Sequence, residues 1–279
     1  MLRIVTDGAS DITGTQAQEL DIEVVPLEIA FEDGICRQDT EEDFIRFYER
    51  LRKCSKLPIT SRPSPQTYLD IFLDAKQKKD EVLVLTISSG LSGTIESACA
   101  AWRMAEYDRV YVVDTHQAII AQRLLVEMAV RLRDEGYSAH EIAQRIEQVR
   151  DQVAVCGVVD TLEYLRMGGR VPVGLAAIGK VLHIKSVIAL ENTTLKTIGK
   201  ARGYLQGVKM LYSRMTEDHF NKAYPVYFGY TSNREKGMLL MQKTQEKFGL
   251  TNVKLHPVGG VIGTHCGTEC VAVAYFKQI

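Results

Sequence analysis

The chain has 279 residues, of which 46% are hydrophobic and 25% are charged. This composition is close to the average for globular proteins and argues against a disordered, collagen-like or coiled-coil protein. The 34 lysines and arginines nearly balance the 35 aspartates and glutamates, giving a formal charge of -1. No general attraction to nucleic acid or to an anionic membrane is therefore expected, and any ligand should bind at a local site.

The chain shows no targeting or membrane-spanning pattern. Its N-terminus turns polar at Asp7, too early for the apolar core of a signal peptide. The apolar stretch 171–190 is interrupted by Lys180, His183 and Lys185, so it is too short for a membrane span. The six cysteines form no CxxC pair, which indicates reduced thiols. We expect a soluble, cytoplasmic protein.

The first half of the chain alternates strand patterns with helical patterns. Its apolar runs are rich in Val, Ile and Leu and end in Asp, Gly or Ser, as buried parallel strands do. This alternation predicts a parallel sheet with helices on both faces. The predicted strands are 2–6, 23–31, 81–88 and 109–114, and the predicted helices are 40–53, 64–79, 93–106, 117–135 and 139–153.

The pattern changes near residue 152. Two successive strands are joined by turn residues at Glu191-Asn-Thr-Thr194, which predicts a hairpin. The predicted strands are 153–160, 183–191, 195–199, 224–231, 252–259 and 270–276, with helices at 205–216 and 235–248. The fold class is therefore α/β with two domains: a parallel-sheet domain at 1–151 and an α+β domain with a mixed sheet at 152–279. A cleft between them is a natural ligand site.

Two glycine-rich segments resemble catalytic motifs only in part. Gly174-Leu-Ala-Ala-Ile-Gly-Lys180 matches the phosphate-loop pattern, but Val181 replaces the required hydroxyl residue, so a helix is the better interpretation. Around Ser92 the second glycine comes one position too early for a hydrolase elbow. The segment 88–94 instead predicts a strand-to-helix turn that could accept a carboxylate or phosphate, or in which Ser92 or Thr94 only caps the helix.

Other loops carry polar residues that are candidates for ligand or metal binding, but each also has an ordinary structural explanation. His265, Cys266 and Cys270 are too few for a structural zinc site. Residues 263–265 are predicted to form a loop between strands, and 60–64 a loop stiffened by proline. The segment 162–170 predicts a short helix that ends in two glycines, with Arg170 just beyond.

Taken together, these loops resemble the DegV family. The resemblance covers nearly the whole chain and rests on Ile4-Val-Thr-Asp7, Thr60-Ser-Arg-Pro-Ser64, Ile87-Ser-Ser-Gly-Leu-Ser-Gly-Thr94, Val113-Asp114, Tyr164-Leu-Arg-Met-Gly-Gly-Arg170, Lys200-Ala-Arg-Gly203 and Gly263-Thr-His-Cys-Gly267. It implies a two-domain α/β protein that holds one long-chain fatty acid in a tunnel between the domains. In the FakB branch such a protein presents the fatty-acid carboxylate to a separate fatty-acid kinase for phospholipid synthesis.

The resemblance also implies roles for individual residues. Thr60 and Ser92 should hydrogen-bond the carboxylate, with Arg170 and His265 nearby, and Arg202 should lie on the surface that meets the kinase. Further candidates for the ligand site are Ser61, Gly93, Thr94 and Thr264. No catalytic residue, metal or cofactor besides the bound fatty acid is implied.

The sequence departs from the family pattern at several positions. Gly8 and Ser186 replace a usual serine and a usual proline, and Glu269 adds a negative charge close to His265 in the chain. If Glu269 lies near the site, it should raise the pKa of the imidazole. Two other functions stay open: a phosphotransferase or hydrolase that uses His265 with Ser92, and a regulatory module that senses lipid.

Overall fold

The fold was analysed in a computed structural model that describes residues 1–171 and 184–278. Its strands are β1 (Leu2–Asp7), β2 (Glu23–Val25), β3 (Glu28–Phe31), β4 (Gly34–Ile35), β5 (Ile59–Ser61), β6 (Glu81–Thr86), β7 (Val110–Asp114), β8 (Val153–Val159), β9 (Ile184–Glu191), β10 (Thr194–Arg202), β11 (Val226–Tyr230), β12 (Val253–Pro257) and β13 (Val271–Phe276). Its α-helices are α1 (Gly14–Glu19), α2 (Glu41–Lys53), α3 (Pro65–Lys78), α4 (Thr94–Ala105), α5 (Ile119–Asp134), α6 (Ala139–Val149), α7 (Glu163–Met167), α8 (Tyr204–Glu217), α9 (Arg234–Phe248) and α10 (Gly260–Cys266).

The first sheet is parallel and has the strand order β2-β1-β6-β7. Successive side chains of a strand point to opposite faces. Accordingly, Ile4 and Leu83 pack in one cluster with α5 and α6, whereas the neighbouring Val5 and Val84 pack in another with α3 and α4. The predicted parallel sheet with helices on both faces is confirmed.

The second sheet is mixed and has the order β10-β9-β8-β13-β11-β12. Only the β11–β12 pair is parallel, and β9 and β10 form the predicted hairpin. The turn residues Asn192 and Thr193 have φ values of 49° and 66°, the left-handed conformation that a tight hairpin turn requires. One face of this sheet packs against α8 and α9, and the other faces α5. The two-domain α/β fold class is thus confirmed, while the boundary between 151 and 152 stays a prediction.

A third, small sheet has the order β4-β3-β5, and the sequence did not predict it. The single strand predicted at 23–31 is divided at Pro26, because proline has no N–H to continue a ladder. Its first part, β2, stays in the parallel sheet, and its second part, β3, pairs with β5. The predicted loop at 60–64 therefore begins as a strand, and Thr60 is held opposite Ile29.

The predicted loop at 263–265 was wrong, since these residues lie in α10. This helix is built from residues of low helix propensity, so the sequence gives little sign of it. Its N-terminal amides are instead capped by distant side chains: Asp11 accepts from the Gly259 N–H at 2.9 Å, and Gln38 accepts from the Gly260 N–H. Tertiary contacts therefore supply the stability that the local sequence lacks.

Glycine allows α10 to lie directly against the aromatic face of α2. A Cβ atom at Gly260 would come within 2.7 Å of the Phe47 ring, and one at Gly263 within 2.4 Å of the Tyr48 hydroxyl oxygen. Tyr48 also donates a hydrogen bond of 2.8 Å to the Val258 carbonyl, just before the helix. Residues near the start of the chain thus position a helix near its end.

Other sequence predictions concern residues outside these elements. The phosphate-loop pattern at 174–180 and the predicted strand start at 183 lie outside the described residues. All six cysteines are free thiols. Within 1–171 and 184–278, no helix is both long enough and apolar enough to cross a membrane.

The hydrogen bond from Tyr48 to Val258 gives a stability prediction. Tyr48→Phe leaves a buried carbonyl unpaired, so the free energy of unfolding should fall by about 1 to 2 kcal/mol in urea titrations. Tyr68→Phe is the matched control, because the Tyr68 hydroxyl is buried without a partner among the described residues. Its removal should be neutral or stabilising, and equal losses in the two variants would contradict the assigned role of Tyr48.

Candidate functional site

An apolar cavity lies between the mixed sheet, the start of α5 and the turn that follows β6. It contains about 810 Å³ of space between atoms, part of it open to solvent. Its floor comes from side chains that share one face of four neighbouring strands. These floor residues are Val155, Gly157, Ile188, Leu190, Leu195 and Ala272.

All four predicted ligand residues line this cavity. Thr60 comes from β5 and Ser92 from the turn before α4, whereas Arg170 follows α7 and His265 lies on α10. The first two residues belong to the first half of the chain and the other two to the second half. The fold thus gathers a polar group of hydroxyls, a guanidinium and an imidazole at the wall of an apolar space.

His265 contacts Thr60 directly, with 3.1 Å between Nε2 and the hydroxyl oxygen. Its other nitrogen, Nδ1, is buried and has no hydrogen-bond partner among the described residues. A Cβ atom at Gly168 would lie 2.0 Å from Nδ1, so only glycine lets the end of α7 approach the ring. The paired glycines predicted to end this helix therefore also make room for the imidazole.

Burial and the neighbouring Arg170 charge lower the pKa of His265 to about 4. The imidazole is therefore neutral at physiological pH and acts through hydrogen bonds rather than through charge. Glu269 is not among the causes of this shift, so the condition under which it was expected to raise the pKa of His265 is not met. Glu269 instead forms an ion pair with Lys236, which balances its charge away from the ring.

Arg170 carries a positive charge that no described carboxylate balances. Its Nε donates to the Leu91 carbonyl at 3.2 Å, and a terminal nitrogen donates to the Gly168 carbonyl at 2.6 Å. Both acceptors are neutral and hold the guanidinium beside Ser92. A partly buried cation beside an apolar cavity favours an anionic ligand, since burial of unpaired charge is costly.

The other predicted ligand residues occupy different surroundings. Ser61 lines the cavity. The Thr94 hydroxyl lies 2.9 Å from that of Ser92, and the Gly93 carbonyl accepts a hydrogen bond of 3.0 Å from Arg62. The Thr264 hydroxyl donates to the Gly260 carbonyl within its own helix at 2.8 Å. Thr94 and Gly93 therefore shape the turn around Ser92, and Thr264 supports α10.

The remaining candidates lie apart from the cavity or form no site. Arg202 is the last residue of β10 and is exposed to solvent. No group of three potential metal ligands occurs in the described parts of the chain, so His265, Cys266 and Cys270 form no such cluster there. Sequence reasoning named none of the six floor residues, although the strand alternation of β8, β9 and β13 carried a signal for them.

Comparison with known proteins supplies the family. A family model described as "Uncharacterised protein, DegV family" matches residues 1–278. The chain belongs to the DegV family. The resemblance that the sequence motifs carried is thereby confirmed over the whole described fold.

Several relatives within the DegV family have names that state a ligand. A fatty acid-binding protein of Thermotoga maritima is 30% identical, and the alignment covers 97% of this chain and 96% of that protein. A DegV lipid-binding protein, also from Thermotoga maritima, superimposes with a TM-score of 0.88 at 28% identity, covering 99% of this chain and 98% of that one. A DegV family protein from Thermus thermophilus, described as binding fatty acid, gives 0.88 at 28% identity, with 99% of each chain covered.

The lowered pKa of His265 predicts how acid affects stability. Between about pH 6.5 and about pH 4 the unfolded chain binds a proton that the folded protein does not bind, so this residue destabilises the fold as the pH falls. His265→Gln lacks this titration. Relative to the variant, wild type should lose about 2 kcal/mol of unfolding free energy between about pH 7.5 and about pH 5 in urea titrations.

A substitution at an exposed histidine provides the control for this measurement. His219→Gln changes a histidine on the protein surface and should leave the pH dependence of stability as in wild type. A constant difference between wild type and His265→Gln across this pH range would show that the imidazole is not buried in its neutral form.

Proposed function

We propose that this protein binds one long-chain fatty acid, with the acyl chain in the apolar cavity and the carboxylate at Thr60, Ser92, Arg170 and His265. The observation that carries the proposal is the guanidinium of Arg170 at the wall of that cavity, which no carboxylate in residues 1–171 or 184–278 balances. An apolar space with cationic groups at its wall matches a ligand with an apolar tail and one anionic end. The names of the DegV relatives support the same ligand class.

The apolar floor can supply most of the binding free energy. Burial of each methylene contributes about 0.8 kcal/mol, so a 16-carbon chain gains on the order of 12 kcal/mol before ordering costs. The carboxylate would oppose this gain if it lost its water without replacement. Hydroxyl donors at Thr60 and Ser92 provide that replacement, and charge-assisted hydrogen bonds are stronger than neutral ones.

His265 and Arg170 have different roles at the carboxylate. Because the pKa of the imidazole is about 4, Arg170 can supply positive charge to a carboxylate without any change of its own protonation, whereas His265 would first have to gain a proton. His265 then serves as a hydrogen-bonding partner that also positions Thr60. This assignment differs from a site in which a protonated imidazole neutralises the ligand.

We further propose that the protein has no catalytic activity of its own and presents the carboxylate to a separate fatty-acid kinase in the cytoplasm. The solvent-exposed Arg202 is available for such a partner. A hydrolase that uses Ser92 with His265 is disfavoured, because the Ser92 hydroxyl contacts Thr94 and the imidazole contacts Thr60. A nucleophile and its base would need to contact each other.

Native mass spectrometry of freshly purified protein tests the ligand. We expect a mass excess that matches one fatty acid of about 14 to 18 carbons. Arg170→Gln should then weaken hexadecanoate binding by roughly 10- to 100-fold, the range expected for a lost hydrogen bond to a charged group, and should change hexadecanol binding by less than about 3-fold. The alcohol has the same tail without the charge.

Arg166→Gln is the matched control. It removes the same charge as Arg170→Gln, but from an exposed side chain on α7, the helix that precedes Arg170. It should bind both ligands as wild type does. Fatty-acid binding is contradicted by an empty protein that also fails to take up labelled fatty acid. An equal loss of acid and alcohol affinity in Arg170→Gln would remove Arg170 from the carboxylate site.

The kinase partner is tested at Arg202. Arg202→Ala should retain fatty-acid affinity but lower the rate of kinase-dependent acyl-phosphate formation by at least about 10-fold, since an interfacial arginine is often a hot spot. Lys196→Ala, at an exposed position on the same strand, should keep the wild-type rate. An unchanged rate in Arg202→Ala would remove Arg202 from the contact with the kinase, and loss of lipid binding would indicate a structural role. If wild type itself supports no acyl-phosphate formation, a lipid-sensing module is favoured instead.

A further inference from the structure

Ile119 has a backbone conformation that is rare for its residue type. It is the first residue of α5 and has a φ of 49°, in the left-handed region. A β-branched residue is strongly disfavoured there, because its Cβ substituents crowd the backbone. Such strain persists only where the surrounding structure enforces it, and it is concentrated at functional sites.

The side chain of Ile119 is at the wall of the cavity. It is 8% exposed and belongs to the large cluster that joins the two sheets, and it lines the cavity together with the floor residues Gly157 and Ala272. These two floor residues face each other across β8 and β13, on which α5 packs. Ile119 is thus a bulky residue in the lining of a cavity whose floor includes the small residues Gly157 and Ala272.

The next residue provides an internal comparison. Ile120 is fully buried in the same helix, but its side chain packs towards Gly229, where a Cβ atom would lie 3.4 Å from Ile120 Cδ1. Its backbone does not have a positive φ, and it is not among the residues that line the cavity. Two adjacent isoleucines of equal chemistry therefore differ in backbone conformation and in access to the ligand.

We propose that Ile119 determines which acyl chains the cavity accepts. Its branched side chain has a stiff χ1 angle, and the enforced backbone prevents it from moving aside. It therefore presents a constant volume to the ligand and excludes chains that need that space. This inference rests on the proposed function, since it names a selectivity residue of the same cavity.

Selectivity is measured as the ratio of the affinities for octadecanoate and tetradecanoate. Ile119→Ala removes three carbons from the cavity wall, and each additional methylene buried is worth about 4-fold in affinity. With room for about two more methylenes, the ratio should rise roughly 10-fold in favour of the longer chain. Ile120→Ala should lower the melting temperature but leave the ratio within about 2-fold of wild type.

A second measurement tests the backbone conformation without any ligand. Glycine adopts the left-handed region without penalty, so Ile119→Gly should melt at a higher temperature than Ile119→Ala, by about 2 °C or more. At position 120, where the backbone is ordinary, the order should reverse, because glycine is the poorer helix former.

The outcomes separate this proposal from the one on which it rests. If wild type binds fatty acids and the ratio in Ile119→Ala is unchanged, or if all chains lose affinity equally, Ile119 has no role in selectivity. If wild type binds no fatty acid, both proposals fail. The proposal is supported if the affinity ratio rises about 10-fold in Ile119→Ala but not in Ile120→Ala. The glycine variant should also melt above the alanine variant at position 119 and below it at position 120.

Discussion

The contact between α10 and α2 is the constraint on which the site depends. Glycines of α10 let the helix lie directly against Phe47 and Tyr48, and side chains from the start of the chain cap its first turn. As a result, His265 reaches Thr60, 205 positions earlier in the sequence. Without this packing the short helix would lack the stability to hold an imidazole at the cavity.

Electrostatics at the site follow from that packing. The approach of α7 and α10 buries His265 beside Arg170, and both the lost solvent and the nearby cation lower the pKa of the imidazole. The Arg170 guanidinium therefore supplies positive charge next to the apolar cavity, which the exposed guanidinium of Arg62 also lines. Positive charge, neutral donors and an apolar wall are thus brought together in one place.

The sequence predicted regular elements well where apolar periodicity was strong. The parallel sheet, the helices α3 to α6 that cover it and the β9–β10 hairpin were anticipated, because burial imposes a period of two or of 3.6 residues on them. The short helix α1 was not predicted. Prediction failed at α10, at β5 and at the division near Pro26. These segments are short and carry too few residues to show a period, so distant contacts decide their conformation.

The sequence by itself determined the α/β fold class, because burial leaves a recognisable period in strands and helices. Its resemblance to the DegV family supplied the candidate polar residues that line the cavity. The tertiary structure decided the apolar floor of the cavity, the neutral state of His265, the pairing of Glu269 with Lys236 and the left-handed backbone of Ile119. Each of these properties depends on groups that are far apart in the chain and meet only after folding. The burial of His265, the pairing of Glu269 and the backbone strain at Ile119 all result from these tertiary contacts.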